Sequence, residues 1–590
     1  MRLSTAGVLP ILILVCSINP GSAAAQGAAE ACGNGTISSI FVDNHSVFNL
    51  SDPDLDDQFS WAYRLANSLH IRTREDVIRR ELLFEQGDCY DPEILRESER
   101  VLRGADYLAD IDIFGVRQAD GTIHVIVDTQ DEWSTRIEPQ FESRGGLSFA
   151  GLKVREENLL GYGRDVSAFY GMSKEERVYG ISYFTPQLFE TRWDSGIRAE
   201  KTPVGSLFSQ TLARPFVGQA GRWAFRQSLR HVDHYFEYFT EEDGELVGIW
   251  FPEQRRSFDV GGVFRWGSRR NDRTLLGAAL TGEWISYPEG ARYVPDEDTE
   301  RIGPPPVPPF PMDSISSVRL TLLTGQRNVY FVRREGLNTL RGTEDVRLGV
   351  ETELGIAPSL PGISSDHDLA LNFGIYVAGD PGAGFLIGGD FNIEGRRDYE
   401  SDGNEHEWRD VFAQLDGWGY WRPSPESSHT FVAAFSAVGG WHTGVPFQLT
   451  LGRDAGLRGY PRHIAPGGQR VVASVEHRAY LGWPYPELFD LGSVVFADVG
   501  RIWAGDAPFG VDSPARADVG VGLRAAFPPG SRQTFRLDVG VPVRSGVGWG
   551  DVVISIGVEQ LIGNEAATRD SQLRRSARQG ISTSLFTYPN

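Results

Sequence analysis

The sequence predicts a mainly β chain: a transmembrane antiparallel β-barrel preceded by one small α+β domain. Three observations predict it. From Thr135 to Ile562 the segments alternate apolar and polar residues, with turns about every twenty residues, the rhythm of barrel strands. Gly (68), Phe (33), Tyr (19) and Trp (14) are abundant while Met (3) is scarce, which suits a large sheet with girdle aromatics. The chain opens with a secretory signal, yet no later stretch approaches the ~20 consecutive apolar residues of a membrane-spanning helix.

Residues 1–25 carry that signal. Arg2 is the only charge before Gln26, an apolar run extends from Val8 to Cys16, and Ala23-Ala24-Ala25 offers a small-residue cleavage site. Ile13-Leu14-Val15 puts a bulky residue before Cys16 where a lipoprotein signal wants a small one, so ordinary cleavage is expected. The net charge of −22 argues against nucleic-acid partners. Cys32 and Cys89 remain after processing, in an oxidising compartment. One disulfide between them and two unpaired thiols are both open readings.

Residues 37–131 read as a β-α-α-β-β unit. Ile37, Ile40 and Val42 begin a strand. Thr73, with Asp76 three residues on, is expected to cap a helix through Val77, Ile78, Leu82 and Leu83. Asp91-Pro92 supply the N-cap and first turn of a second helix, with Ile94, Leu95, Val101 and Leu102 at helical spacing and Gly104 as its stop. Strands Leu108–Arg117 and Thr122–Gln130 follow around an Asp120-Gly121 turn. The stretch from Asn44 to Arg72 is longer than this plan needs, and Trp61-Ala62-Tyr63 marks an extra helix there.

Residues 134–562 form the barrel. Leu369, Leu371, Phe373, Ile375 and Val377 share one face of a strand; Ala370, Asn372, Gly374 and Tyr376 share the other. Phe385, Ile387, Phe391 and Ile393 oppose Asp390, Asn392 and Glu394, and Val346, Leu348, Val350 and Leu354 oppose Arg347, Glu351 and Glu353. A soluble sandwich also alternates, but with shorter strands and its apolar face inward. Strands of roughly 9–13 residues with charges recurring on the second face suit lipid outside and water inside. Trp223–Arg334 divides in more than one way, so the count is roughly 16 to 20, and even. Glu289–Ser314, with Gly303-Pro304-Pro305-Pro306, reads as a long extracellular loop. Residues 563–590 are a polar, basic tail. The first strand, Thr135–Ser143, holds Pro139 mid-strand and the last, Val552–Leu561, holds Gly557. The seam between them is therefore expected to be the weakest pairing.

The chemistry of an enzyme is missing. There is no GxSxG, HExxH or P-loop and no Cys/His cluster with metal spacing; the 11 His are scattered. The chain is read as a non-enzyme without cofactor or metal. The informative motif is Leu457-Arg458-Gly459-Tyr460, in a long segment between strands. It resembles the [VL]-R-G-[FY] element of BamA/TamA-like outer-membrane assembly factors and their two-partner-secretion cousins. Phe496-Ala497-Asp498-Val499-Gly500 resembles the F-x-D-x-G strand of the same superfamily. Asn158-Leu159-Leu160-Gly161-Tyr162-Gly163 and Tyr183-Phe184-Thr185-Pro186 resemble its early barrel turns and strand endings. Gly87-Asp88, Glu97-Ser98-Glu99-Arg100 and Leu102-Arg103 resemble its POTRA helices.

The resemblance implies a sixteen-stranded bacterial outer-membrane barrel with a POTRA-like domain in the periplasm. It also implies a loop folded into the lumen whose Arg458 pairs with Asp498. A guanidinium fork can hold a carboxylate bidentately and so pin a flexible loop. Glu476, Arg478 and Asp538 fall on the polar faces of neighbouring strands and are candidates for the same network. The implied activity is nucleotide-free insertion or translocation of unfolded outer-membrane or secreted proteins, by β-augmentation on the POTRA sheet and lateral opening of the barrel. Outer-membrane lipids, and periplasmic or lipoprotein partners at the N-terminal domain, complete the expected set. A two-partner-secretion exporter and a passive porin or surface antigen are the alternatives. The sequence departs from the family in four places: a single POTRA-like unit, no terminal aromatic on the last strand, the tail, and a strand count that can exceed sixteen.

Overall fold

The computed structural model describes residues 32–558, 570–576 and 578, apart from the stretches 52–54, 144–146, 174–175, 220, 243–244, 270–271, 289–291, 295–312 and 400–407. The signal segment 1–25 and the polyproline run within Glu289–Ser314 lie outside the described residues. The same holds for the end of the expected last strand, 559–561.

The N-terminal unit has strand Ile37–His45, helices Ser60–Leu69, Glu75–Glu81 and Pro92–Arg103, and strands Leu108–Arg117 and Ile123–Asp131. Ile123–Asp131 is the central strand, parallel to Ile37–His45 and antiparallel to Leu108–Arg117. Asp91 caps the third helix, its carboxylate accepting from the Glu93 amide at 2.9 Å. Thr73 does not cap the second, contrary to expectation. That helix starts at Glu75 with no side-chain cap and stops at Glu81, before Leu82. Thr73 is committed to tertiary bonds instead: its amide donates to Asp131 at 2.7 Å and its hydroxyl accepts from the Asn158 amide at 2.8 Å. The core joins Val77, Leu82, Leu95, Leu102, Ile113 and Val125, with Ile40 packed against it. Cys32 and Cys89 are joined by a disulfide, their Cα atoms 5.2 Å apart.

From Thr135 onward, twenty strands in chain order form one antiparallel sheet that curls round until the last lies beside the first. Twenty lies at the top of the range counted from the sequence and above the sixteen implied by resemblance. Several strands also run far past the expected length: Trp223–Glu242 has 20 residues, Glu245–Arg269 25 and Ile315–Glu335 21. The first two pair along their whole length, from Trp223 opposite Phe264 to Glu242 opposite Glu245. Their neighbour Gly205–Arg214 follows only to Val232. The hairpin thus projects beyond the sheet with no turn residues to mark where the barrel stops. This is why its division was ambiguous in the sequence.

Alternation sorts the two faces. Phe373 and Val377 are exposed outward and Ala370, Asn372 and Tyr376 are buried inward, as expected. It slips at Gly349, which has φ 118°: Val346 and Leu348 are buried while Val350 is exposed, so these three do not share one face as the sequence suggested. No helix among the described residues is long and apolar enough to cross a membrane.

The strand order closes the last strand, Val553–Val558, onto the first, Thr135–Ser143. Pro139 lies opposite Leu152, and a bulge follows at Gln140/Phe141. Nothing approaches the place a Gly557 side chain would fill.

The N-terminal unit sits across one end of the barrel. Gln187 donates to the Val77 carbonyl at 3.1 Å, and the Gln219 amide to Glu97 at 2.6 Å. Arg103 holds Asp345 at 2.8 and 3.0 Å. Arg532 reaches the carbonyls of Ala105 and Leu108 at 2.6 and 2.8 Å. Every barrel partner in these contacts comes from turns at the same end.

Candidate functional site in the barrel lumen

The segment between strands His429–Trp441 and Gln469–Tyr480 folds inward. Leu449–Leu451 and Ala465–Gly467 make a two-stranded ribbon, and Leu451, Leu457 and Tyr460 are buried with Phe447, Val472 and Ile502. These apolar residues fix the loop to the barrel's inner wall, and the tip of the loop carries Arg458.

Strand geometry prepares the wall for that arginine. Ser474, Asp498 and Asp518 lie side by side on three consecutive strands, as do Glu476, Phe496 and Gly520. Asp498 and Phe496 are buried inward while Val495 and Val499 are exposed on the outer face. Arg458 forks onto Asp498, Nε to Oδ2 at 2.9 Å and Nη2 to Oδ1 at 2.7 Å, and its backbone amide donates to the same carboxylate at 3.2 Å. Nη1 donates to Glu476 and Nη2 to Ser474 Oγ at 2.9 Å, while Ser474 donates to Asp498 at 2.6 Å. The guanidinium also stacks 3.7 Å above the Phe496 ring, a cation–π contact.

The other motif residues explain themselves by contact. A Cβ on Gly459 would stand 2.5 Å from Cβ of Asp518 and 2.9 Å from the Val541 backbone, so only glycine lets the loop lie this close to the wall. Gly500 leaves room for Leu451, whose Cδ1 would be 3.0 Å from a Cβ there. Tyr460 donates to the Ala517 carbonyl at 3.2 Å.

Of the network candidates, Glu476 and Arg478 join: Arg478 donates to Glu476 at 2.7 Å and also to the Leu337 carbonyl. Asp538 makes no direct contact with Arg458. It is held by Arg524 at 2.6 Å and Arg536 at 3.2 Å, in a neighbouring ion-pair group. Sequence reasoning missed Ser474 and Asp518, which enter through strand register alone.

It also missed the tail. Residues 570–576 and 578 lie inside the barrel, at the end away from the N-terminal domain. Gln572 bonds Thr450 three ways: it accepts from the Thr450 amide at 2.8 Å, donates to its hydroxyl at 2.6 Å, and shares Arg470, which reaches the Thr450 carbonyl at 2.7 Å. Arg470 also pairs with Asp570 at 2.5 Å. Leu573 joins the core of the inward loop. Arg578 reaches across to Glu283 and Asp366, each at 2.8 Å, with Asp410 at 3.6 Å.

Burial alone would raise the Asp366 carboxyl, but the charge and hydrogen bond of Arg578 bring it below its ordinary value. Asp570 is likewise lowered: Arg470 and the amides of Leu573 and Gln572 outweigh its burial. No cluster of three or more His, Cys, Asp or Glu among the described residues could hold a metal.

No family model and no curated protein matches this chain. Solved structures similar to it include the following three. BamA from Haemophilus ducreyi lacking POTRA domains 1–3 has 14% identity and a TM-score of 0.30, covering 88% of this chain and 83% of that one. CdiB from Acinetobacter baumannii has 9% identity and a TM-score of 0.38, covering 89% and 73%. CdiB from Escherichia coli has 12% identity and a TM-score of 0.37, covering 92% and 91%. Likeness at this level assigns neither a family nor an activity.

Proposed function

We propose that this chain is an outer-membrane protein insertion or translocation factor of the BamA/TamA type, acting without nucleotide. One observation carries the reading: a long inter-strand loop is turned into the lumen and pinned there by the Arg458 fork on Asp498 and Glu476. A passive pore gains nothing from an arginine spent on holding a loop across its own channel. The N-terminal domain then lies in the periplasm and receives clients. Ile37–His45 and Leu108–Arg117 are the edge strands of its sheet, and an unfolded client strand adds to such an edge by β-augmentation. Outer-membrane or secreted proteins are the clients, outer-membrane lipids the surroundings, and periplasmic proteins or lipoproteins the partners that dock on the domain.

The test is reconstitution of the full chain in liposomes with a urea-unfolded outer-membrane protein as client. Its folding, followed by gel mobility, is expected to be faster than in empty liposomes, and to lose that gain with Arg458→Ala. Client folding no faster than in empty liposomes, together with steady open-channel conductance in planar bilayers, would leave the porin reading. A second reading, export through the lumen, is favoured by the tail, a removable segment in the conduction path. It requires client to appear inside the liposomes rather than in their membrane.

A further inference from the structure

We infer that helix Ser60–Leu69 lies on the surface of a phospholipid bilayer, as an interfacial foot beside the barrel; this rests on the membrane reading above. One face of the helix is used by the protein itself. Tyr63 and Ala66 are buried with Val47 and Phe48, which ties the helix to the N-terminal unit. The opposite face carries Trp61, Leu65 and Leu69 at i, i+4 and i+8, exposed by 64, 51 and 66%. Three large apolar side chains in one row form an apolar stripe in water, which calls for an apolar partner.

The surroundings choose the partner. Phe59, just ahead of the helix, packs edge-on to Tyr485 at 5.2 Å, and Leu488 belongs to the cluster beneath it. Both lie in the barrel turn 481–489, where Leu481 and Trp483 are also exposed. The two strands that meet at this turn, Gln469–Tyr480 and Asp490–Trp503, present Val475, Val495 and Val499 on the barrel's outer face. The helix face therefore continues the outer apolar belt at its rim. Trp and Tyr concentrate at such a boundary, where one end of the ring is apolar and the other wet. Charge agrees. Residues 60–74 contain Arg64, Arg72 and Arg74 and no carboxylate, with Asp56 and Asp57 confined to the turn ahead of the helix. Exposed cations beside an apolar face suit anionic phosphate headgroups. The partner is the phospholipid of the leaflet facing the N-terminal domain.

The disulfide occupies Cys32 and Cys89, so in the mature chain an introduced cysteine is the free thiol. Three single variants of the full chain are labelled with an environment-sensitive fluorophore: Leu65→Cys on the helix, Val495→Cys on the belt, and Ala119→Cys. Ala119 lies at the tip of the hairpin Leu108–Asp131, at the end opposite the Leu108 carbonyl that meets the barrel. The proteins are placed in phosphatidylethanolamine/phosphatidylglycerol vesicles with and without nitroxide-labelled acyl chains. Quenching on the order of twofold is expected at Leu65 and Val495, and none at Ala119. Quenching at Val495 with Leu65 as insensitive as Ala119 overturns the inference and leaves the barrel reading standing. No quenching at Val495 removes both. Shielding of Leu65 from aqueous iodide without lipid quenching assigns the face to a protein and also overturns it.

Discussion

Arg458 has every donor direction but one engaged within the lumen, and its partners Asp498 and Glu476 are buried. Replacing it by Ala leaves the buried Asp498 carboxylate without its cation, while Glu476 keeps Arg478, a loss of about 3–5 kcal/mol in loop anchoring by the cost of breaking a buried pair. Arg458→Lys should recover only part of this, because an ammonium cannot reproduce the fork. Limited proteolysis within 442–468 is the measurement: cleavage is expected in Arg458→Ala, less in Arg458→Lys, and none in the wild type. Gly459→Ala should open the same loop by another route, overpacking against Asp518 and the Val541 backbone at about 1–3 kcal/mol. The pair was legible in the sequence because both partners sit in short motifs that resemble those of a known superfamily. Ser474 and Asp518 were not, since neither stands in a motif. Only the register that sets them beside Asp498 gives them a role.

At the scale of elements, the N-terminal unit has a core of its own. Residues 32–132 expressed alone should melt cooperatively by circular dichroism, and Cys32→Ser should lower stability by about 2–5 kcal/mol. A gradual, featureless melt would mean that the contacts with the barrel turns are needed to hold the sheet. The third helix was readable from Asp91-Pro92 and Gly104 because its cap is local. The second was misread because Thr73 is bonded to residues 58 and 85 positions away in sequence. The tail was illegible for the same reason on a larger scale: Gln572 and Arg578 find partners 122 and 295 residues away.

Its anchors are titratable. Asp366 and Asp570 are held below their ordinary values, so the folded tail favours their ionised forms. That stabilisation is complete above the ordinary Asp pKa of about 3.9 and is lost as pH falls through the lowered values. Acidification below about pH 4 should therefore release the tail, and single-channel conductance in planar bilayers should rise. Truncation after residue 563 should give the higher conductance already at neutral pH. Equal conductance of the truncated and full-length chains would show that the tail does not obstruct the lumen.

For the whole molecule, the question is where so large a sheet can open. The closed strand order brings the last strand, Val553–Val558, beside the first, Thr135–Ser143. Pro139 removes a donor from the first strand, a bulge follows at Gln140/Phe141, and Gly557 on the last strand adds no side-chain contact. Backbone hydrogen bonds have no competitor inside a lipid bilayer, so the ladder with the fewest of them is where lateral opening costs least. Ile137 and Ile556 both face outward on the two seam strands and are exposed, which makes them accessible to cross-linking from the lipid side. A cysteine pair at Ile137 and a facing position near Ile556 should form a bridge without disturbing the barrel, as judged by unchanged heat-modifiable gel mobility. Bridged protein should then lose client insertion in the liposome assay and regain it on reduction, while its conductance stays constant. Full insertion activity with the bridge closed would place the path for clients elsewhere, through the lumen or along an uninterrupted strand pair.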